Sequence, residues 1–239
     1  MPVQAVIFDL DGTLLDTLAD IAAATNQVLC AHGFAPHPVP AYRRFVGSGV
    51  FELADRAFPE LPRARIEAFA NEIRELLVQN VQGKTTPYPG IREAVAQMKR
   101  RGLTLGVLSN KPHEAVVNAV AHHFPDRPFD GVLGHREPFP PKPDPTGAHH
   151  LLGELGITGD TLYIGDSDVD MHTAVRSGMV PIGAGWGFRG KQELEAAGAT
   201  IVLDEPLALN SFLRELTEKE ENLGAPTRTK RLSNAHASM

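Results

Sequence analysis

Two aspartates two positions apart, Asp9 and Asp11, stand directly after a short apolar run in Asp9-Leu10-Asp11-Gly12-Thr13-Leu14. Near a strand end, such carboxylates can point into one space. Like charges so close cost energy unless a cation or a shared proton lies between them. Mg2+ suits this chemistry, because it takes oxygen ligands and keeps waters and substrate phosphate oxygens in its shell. Gly12 lets the backbone turn tightly and leaves its N–H accessible. A plain turn with Asp and Gly as turn formers is the competing reading of this stretch alone.

Three later stretches bring complementary groups. Leu105-Gly106-Val107-Leu108-Ser109-Asn110 ends a second apolar run with a hydroxyl and an amide, and Lys111-Pro112 then opens a helix. Free N–H groups at a helix start bind phosphate, although Ser or Asn at that place is commonly just a cap. Lys142 lies in Pro140-Pro141-Lys142-Pro143-Asp144-Pro145. Stiffened by prolines, its ammonium is either a pre-placed charge for phosphate or an ordinary solvated lysine. Gly165-Asp166-Ser167-Asp168-Val169-Asp170 crowds three carboxylates at a third strand end. N-capping absorbs one of them; a metal gives the set a reason.

These groups need elements that bring them together. Apolar runs over 3–8, 103–108 and 161–164 read as buried strands, with weaker candidates at 131–133, 180–183 and 200–203. Helical patterns fill 90–101, 113–123, 146–155 and 169–177. Continuous apolar strands alternating with helices predict an α/β fold, a Rossmann-like parallel sheet covered on both faces. Its ligands bind outside the carboxyl ends of the strands, where all four motifs fall. More than ninety residues after the first strand hold no good strand candidate. Helical periodicity over 20–32 and 63–82, interrupted by Pro36, Pro38 and Pro40, points to a helical cap inserted there. The expected division is a core of 1–14 plus 86–216, a cap of 15–85, and a disordered polar tail of 217–239.

Composition sets limits. The chain has 239 residues, 42% of them hydrophobic, and a net charge of −6, so it lacks the field that attracts nucleic acid or anionic membrane. An anionic substrate therefore needs local positive charge or a metal. The N-terminus has no basic region of a signal peptide, and no run approaches the roughly 18 apolar residues of a membrane span. A cytoplasmic location is the expectation. The single cysteine, Cys30, reads as inert core, and the paired His122-His123 and His149-His150 read as surface residues.

The motif order resembles the haloacid dehalogenase superfamily. It rests on Asp9-Leu10-Asp11-Gly12-Thr13-Leu14, Ser109-Asn110, Lys142 and Gly165-Asp166-Ser167-x-x-Asp170. Within it the chain is most similar to the phosphoglycolate phosphatase group, through Asp16-Thr17, Pro89-Gly90, Ala174-x-x-Ser177-Gly178 and Trp186-Gly187-Phe188. The resemblance implies a Mg2+-dependent phosphatase. Asp9 would be the nucleophile that forms an aspartyl-phosphate, and Asp11 the acid and base. It implies metal ligation by the Asp9 carboxylate, the Asp11 carbonyl and Asp166, with Asp170 behind them. Gly12, Ser109, Asn110 and Lys142 would hold the phosphoryl group.

Asp11 argues for a phosphate ester or anhydride, since dehalogenases of the superfamily lack it and phosphonate-cleaving relatives carry alanine. The expected substrate is a small phosphorylated metabolite, with 2-phosphoglycolate the best guess. Pyrophosphate, nucleotides and sugar phosphates are the alternatives. A non-catalytic phosphate-binding regulator is the alternative of another class, and the chain would be a monomer or homodimer. Phe45-Val46-Gly47-Ser48-Gly49 resembles a loop that closes over small substrates. Arg43 and Arg44 before it either meet a substrate carboxylate or form a solvated basic turn.

Overall fold

In the computed structural model, which describes residues 3–58, 60–79 and 83–224, the chain builds on one six-stranded sheet. The strands are β1 (Ala5–Phe8), β4 (Thr104–Pro112), β5 (Gly131–His135), β6 (Thr161–Gly165), β7 (Val180–Ala184) and β8 (Ile201–Leu203). Their order is β5-β4-β1-β6-β7-β8, and every pairing is parallel. All four residues of β1 are buried, as a central strand covered on both faces requires.

Alternation along β1 divides the core in two. Val6 and Phe8 face one side with Ile91 and Val95 of α5 (Ile91–Arg100), Val116 and Val120 of α6 (His113–His123), and Leu209 of α10 (Ala208–Gly224). Ile7 faces the other side with Leu151 of α7 (Thr146–Glu154) and Ala174 of α8 (Asp168–Arg176). Truncating Phe8 to Ala would cost about 3–5 kcal/mol on this packing. A short α9 (Lys191–Ala196) joins β7 to β8.

Between β1 and α5 the chain leaves the sheet. Leu15–Asp16 (β2) and Thr86–Pro87 (β3) pair antiparallel and form the stem. Between them lie α1 (Leu18–Ala31), a 3-10 turn (Val39–Ala41), α2 (Tyr42–Phe45), α3 (Val50–Ala57) and α4 (Arg63–Gln79). These helices, the candidate cap, share one hydrophobic cluster that Phe188 also enters, with Tyr42, Phe58, Ile66 and Ile73 fully buried. Asp20 ties the cap to the stem: its carboxylate accepts from the Lys84 N–H (2.8 Å), the Thr85 N–H (2.7 Å) and the Thr85 hydroxyl (2.5 Å).

Several expectations are corrected. The stem strands are two residues each, too short to leave an apolar period. β4 runs through Lys111-Pro112, so the helix opens at His113. α10 continues past position 217 to Gly224, where a disordered tail was expected; residues 225–239 lie outside the described residues. Cys30 is exposed on α1, and His123 is buried. Among the described residues, no helix is long and apolar enough to cross a membrane.

Candidate active site

β1 sits between β4 and β6, the point where the strand order reverses, so the crevice opens at the carboxyl ends of these three strands. The chain leaves β1 at Asp9 and turns at once. The Leu10 carbonyl accepts from the N–H groups of Thr13 (3.3 Å), Leu14 (3.0 Å) and Leu15 (3.0 Å). Gly12 has φ +83°, and a Cβ there would collide with the Asp166 carboxylate, so the position demands glycine twice over. One expectation is overturned here: the Gly12 N–H is already given to the Leu15 carbonyl at 2.9 Å. The neighbouring Asp11 N–H has no acceptor among the described residues.

Lys142 is buried in the middle of the acids. Its ammonium lies 3.1 Å from Asp9 Oδ1 and 2.6 Å from Asp170 Oδ1, and it donates to the Tyr163 hydroxyl at 2.9 Å. Asn110 fixes its backbone from both sides, accepting from the Lys142 N–H (2.7 Å) and donating to the Lys142 carbonyl (3.0 Å). Asn110 thus braces Lys142, and its two amide donors go to the Lys142 and Gly47 carbonyls instead of the expected phosphate. Burial works against the charge on Lys142, but Asp170 and Asp9 outweigh it and push its pKa well above the usual value. Burial pushes Asp9 up to about 7, with Lys142 pulling the other way and the charges of Asp170 and Asp11 adding to the rise. Asp166 is also pushed well above the carboxylate range, first by burial and then by Asp170 and Asp9.

These three acids are the place for a cation. Asp9, Asp166 and Asp170 each bring a carboxylate oxygen within 4.8 Å of the others, and all are buried. Asp9 Oδ1 is buried and makes no hydrogen bond; its one compensating contact is the Lys142 ammonium at 3.1 Å, which Asp170 shares. Asp166 uses Oδ2 to accept the Phe188 N–H at 2.7 Å. Both oxygens of Asp170 are engaged. Oδ1 takes Lys142, while Oδ2 accepts the Ser167 hydroxyl (2.6 Å) and N–H (3.1 Å) in the capping box of α8. Three carboxylates around one ammonium make an all-oxygen set that fits Mg2+. Asp170 is better suited to hold Lys142 than to ligate.

In front of the acids lies a pocket whose empty space, open solvent included, is about 400 Å³. Its core side presents Asp9, Asp11, Ser109, Asn110 and Lys111, and its cap side the aliphatic Ile21, Val46, Val50, Leu53 and Leu77. The Asn110 amide also donates to the Gly47 carbonyl at 3.1 Å, tying the expected cap loop to the core. Arg43 and Arg44 are exposed and do not line the cavity, which leaves the solvated reading of that pair.

The site gains three residues that the motifs did not assign. Lys111 donates to Asp11 Oδ1 at 2.8 Å, and its position directly after Ser109-Asn110 was the available signal. Tyr163 gives no signal, because its hydroxyl meets Lys142 only after the chain folds. Phe188 reaches Asp166 through its backbone, which side-chain type cannot reveal.

A family model for haloacid dehalogenase-like hydrolases matches residues 6–184. A phosphoglycolate phosphatase of Psychrobacter arcticus is 29% identical over 226 residues, covering 89% of this chain and 96% of that protein. One from Agrobacterium fabrum is 32% identical over 218 residues, covering 87% and 91%. A crystal structure from Lactobacillus delbrueckii subsp. bulgaricus, provisionally assigned as a phosphoglycolate phosphatase, is 34% identical. It superposes with a TM-score of 0.79 over 89% of this chain and 99% of its own.

Proposed function

This chain belongs to the haloacid dehalogenase-like hydrolase family, and from that premise we propose that it is a Mg2+-dependent phosphatase of a small phosphate monoester, 2-phosphoglycolate first. One observation carries the reading. Asp9 is buried beside the Lys142 ammonium and clustered with Asp166 and Asp170, and it lines a cavity that Asp11 also lines. The relatives named phosphoglycolate phosphatase supply the substrate.

In this reading the core is 1–14 plus 86–216, and the cap of 15–85 supplies the aliphatic wall. The ester enters with its phosphoryl group over Asp9. Ser109, the Asp11 N–H and Lys142 take its oxygens. Asp9 attacks phosphorus, forming an aspartyl-phosphate, while Asp11 gives a proton to the departing ester oxygen. Asp11 then takes a proton from the water that attacks the same phosphorus, which restores Asp9 and releases phosphate. The Asp9 and Asp166 carboxylates and the Asp11 carbonyl would hold Mg2+, whose charge offsets that of the phosphoryl oxygens. Asp170 keeps the Lys142 ammonium aimed at Asp9, and the aliphatic wall keeps bulk water away.

The test is turnover of a panel of phosphate monoesters with Mg2+, then with EDTA. The reading expects 2-phosphoglycolate at the top of the panel and activity that chelation removes. Activity indifferent to chelation contradicts the metal.

A further inference from the structure

We propose that Lys111 selects a leaving group that carries a carboxylate one carbon from the ester oxygen, a proposal that rests on the phosphatase reading above. Among the described residues, the side chains that the cap brings to the cavity offer such a carboxylate no cation and no hydrogen-bond donor. The cap's wall is aliphatic, and Arg43 and Arg44 next to the loop do not line it. A carboxylate buried against that wall without a partner would be strongly disfavoured. Lys111 is the one cation among the residues that line the cavity.

Its ammonium is placed and available. Only 9% of the Lys111 side chain is exposed, and Asp11 Oδ1 at 2.8 Å is its single hydrogen-bond partner among the described residues. An ammonium has three donors, so two remain. Asp20, whose charge Lys111 also feels, makes no hydrogen bond with it; its carboxylate accepts from the N–H groups of Lys84 and Thr85 and the Thr85 hydroxyl. The contact with Asp11 fixes where those donors lie. Asp11 hands its proton to the ester oxygen, so Lys111 stands beside the leaving group, where a carboxylate one methylene away arrives. One ammonium then holds the substrate carboxylate and orients the acid. A leaving group without a carboxylate leaves those two donors unused.

The experiment compares kcat/KM for 2-phosphoglycolate and ethyl phosphate, which lacks only the carboxylate function, in wild type, Lys111→Met and Lys111→Arg with saturating Mg2+. A charge-assisted hydrogen bond predicts a wild-type preference for 2-phosphoglycolate of at least about tenfold. Lys111→Met brings the ratio to within about threefold of unity, while Lys111→Arg keeps a preference. A general structural defect lowers both esters alike and leaves the ratio unchanged, and that result overturns the proposal. Wild type that hydrolyses both esters equally well overturns this assignment alone. Wild type that hydrolyses neither overturns the phosphatase reading and this assignment together.

Discussion

Phe188 gives its backbone N–H to Asp166 at 2.7 Å while its ring is buried in the hydrophobic cluster of the cap. One residue of the core therefore touches a candidate metal carboxylate and the packing of the cap at once. Arg189 strengthens the join, donating to the Val46 carbonyl at 3.2 Å and the Arg44 carbonyl at 3.4 Å. Gly187 makes it fit, since a Cβ there would strike Asp166 and the Gly12 carbonyl.

Removing the ring tests that join. Phe188→Ala should lower stability by about 3 kcal/mol, the cost of a large cavity in a packed cluster. It should also raise the Mg2+ concentration needed for half-maximal activity, because the backbone N–H that holds Asp166 loses the ring that anchors it. Denaturation followed by fluorescence of Trp186, the single tryptophan, reads the first effect. A Mg2+ titration of activity reads the second. An unchanged Mg2+ requirement in a destabilised variant means that the cap does not reach Asp166 through this residue.

Lys142 is the cation that makes the buried acids tolerable. Lys142→Met preserves volume but leaves Asp9 and Asp170 facing each other without compensation. That should cost about 3–5 kcal/mol, in keeping with the loss of one partner from a buried ion pair. Urea denaturation measures it. A loss below about 1 kcal/mol would assign the ion pairs no structural weight.

Asp20 gives the stem a pH dependence of known sign. Burial alone would raise its pKa, but the hydrogen bonds from Thr85 and Lys84 outweigh burial and hold it below the usual value. The folded pKa thus lies below the unfolded one of about 4. The stabilisation is fully present above the unfolded value and is lost as pH falls through the folded value. Asp20→Asn should cost about 1.5–3 kcal/mol at neutral pH and progressively less below about pH 4. Chemical denaturation of both proteins across that range checks it, and a constant difference contradicts the assignment.

Much of the fold was legible because the physics is local in the sequence. A buried parallel strand needs an unbroken apolar run, and Val6-Ile7-Phe8 and Tyr163-Ile164 supply one. Three of the four motifs were legible because they follow such runs directly, while Lys142 stands beyond the end of β5 at His135 and was marked by its prolines. What stayed hidden depends on distant partners. The β2–β3 stem pairs Leu15 with Pro87 across the whole cap. The role of Asn110 depends on Lys142 and Gly47, and neither is near it in sequence. Gly12 was read correctly as a tight turn, but the fate of its N–H was decided by the Leu15 carbonyl.

The nucleophile is the centre of the account, and a covalent trap tests it most directly. The protein is mixed with 2-phosphoglycolate and Mg2+, quenched in acid, reduced with borohydride, digested and sequenced by mass spectrometry. An acyl phosphate on a carboxylate is reduced to an alcohol, so the account predicts homoserine in place of Asp9 and at no other aspartate. Unmodified Asp9 in protein quenched during rapid turnover, or full activity in Asp9→Asn, would contradict it.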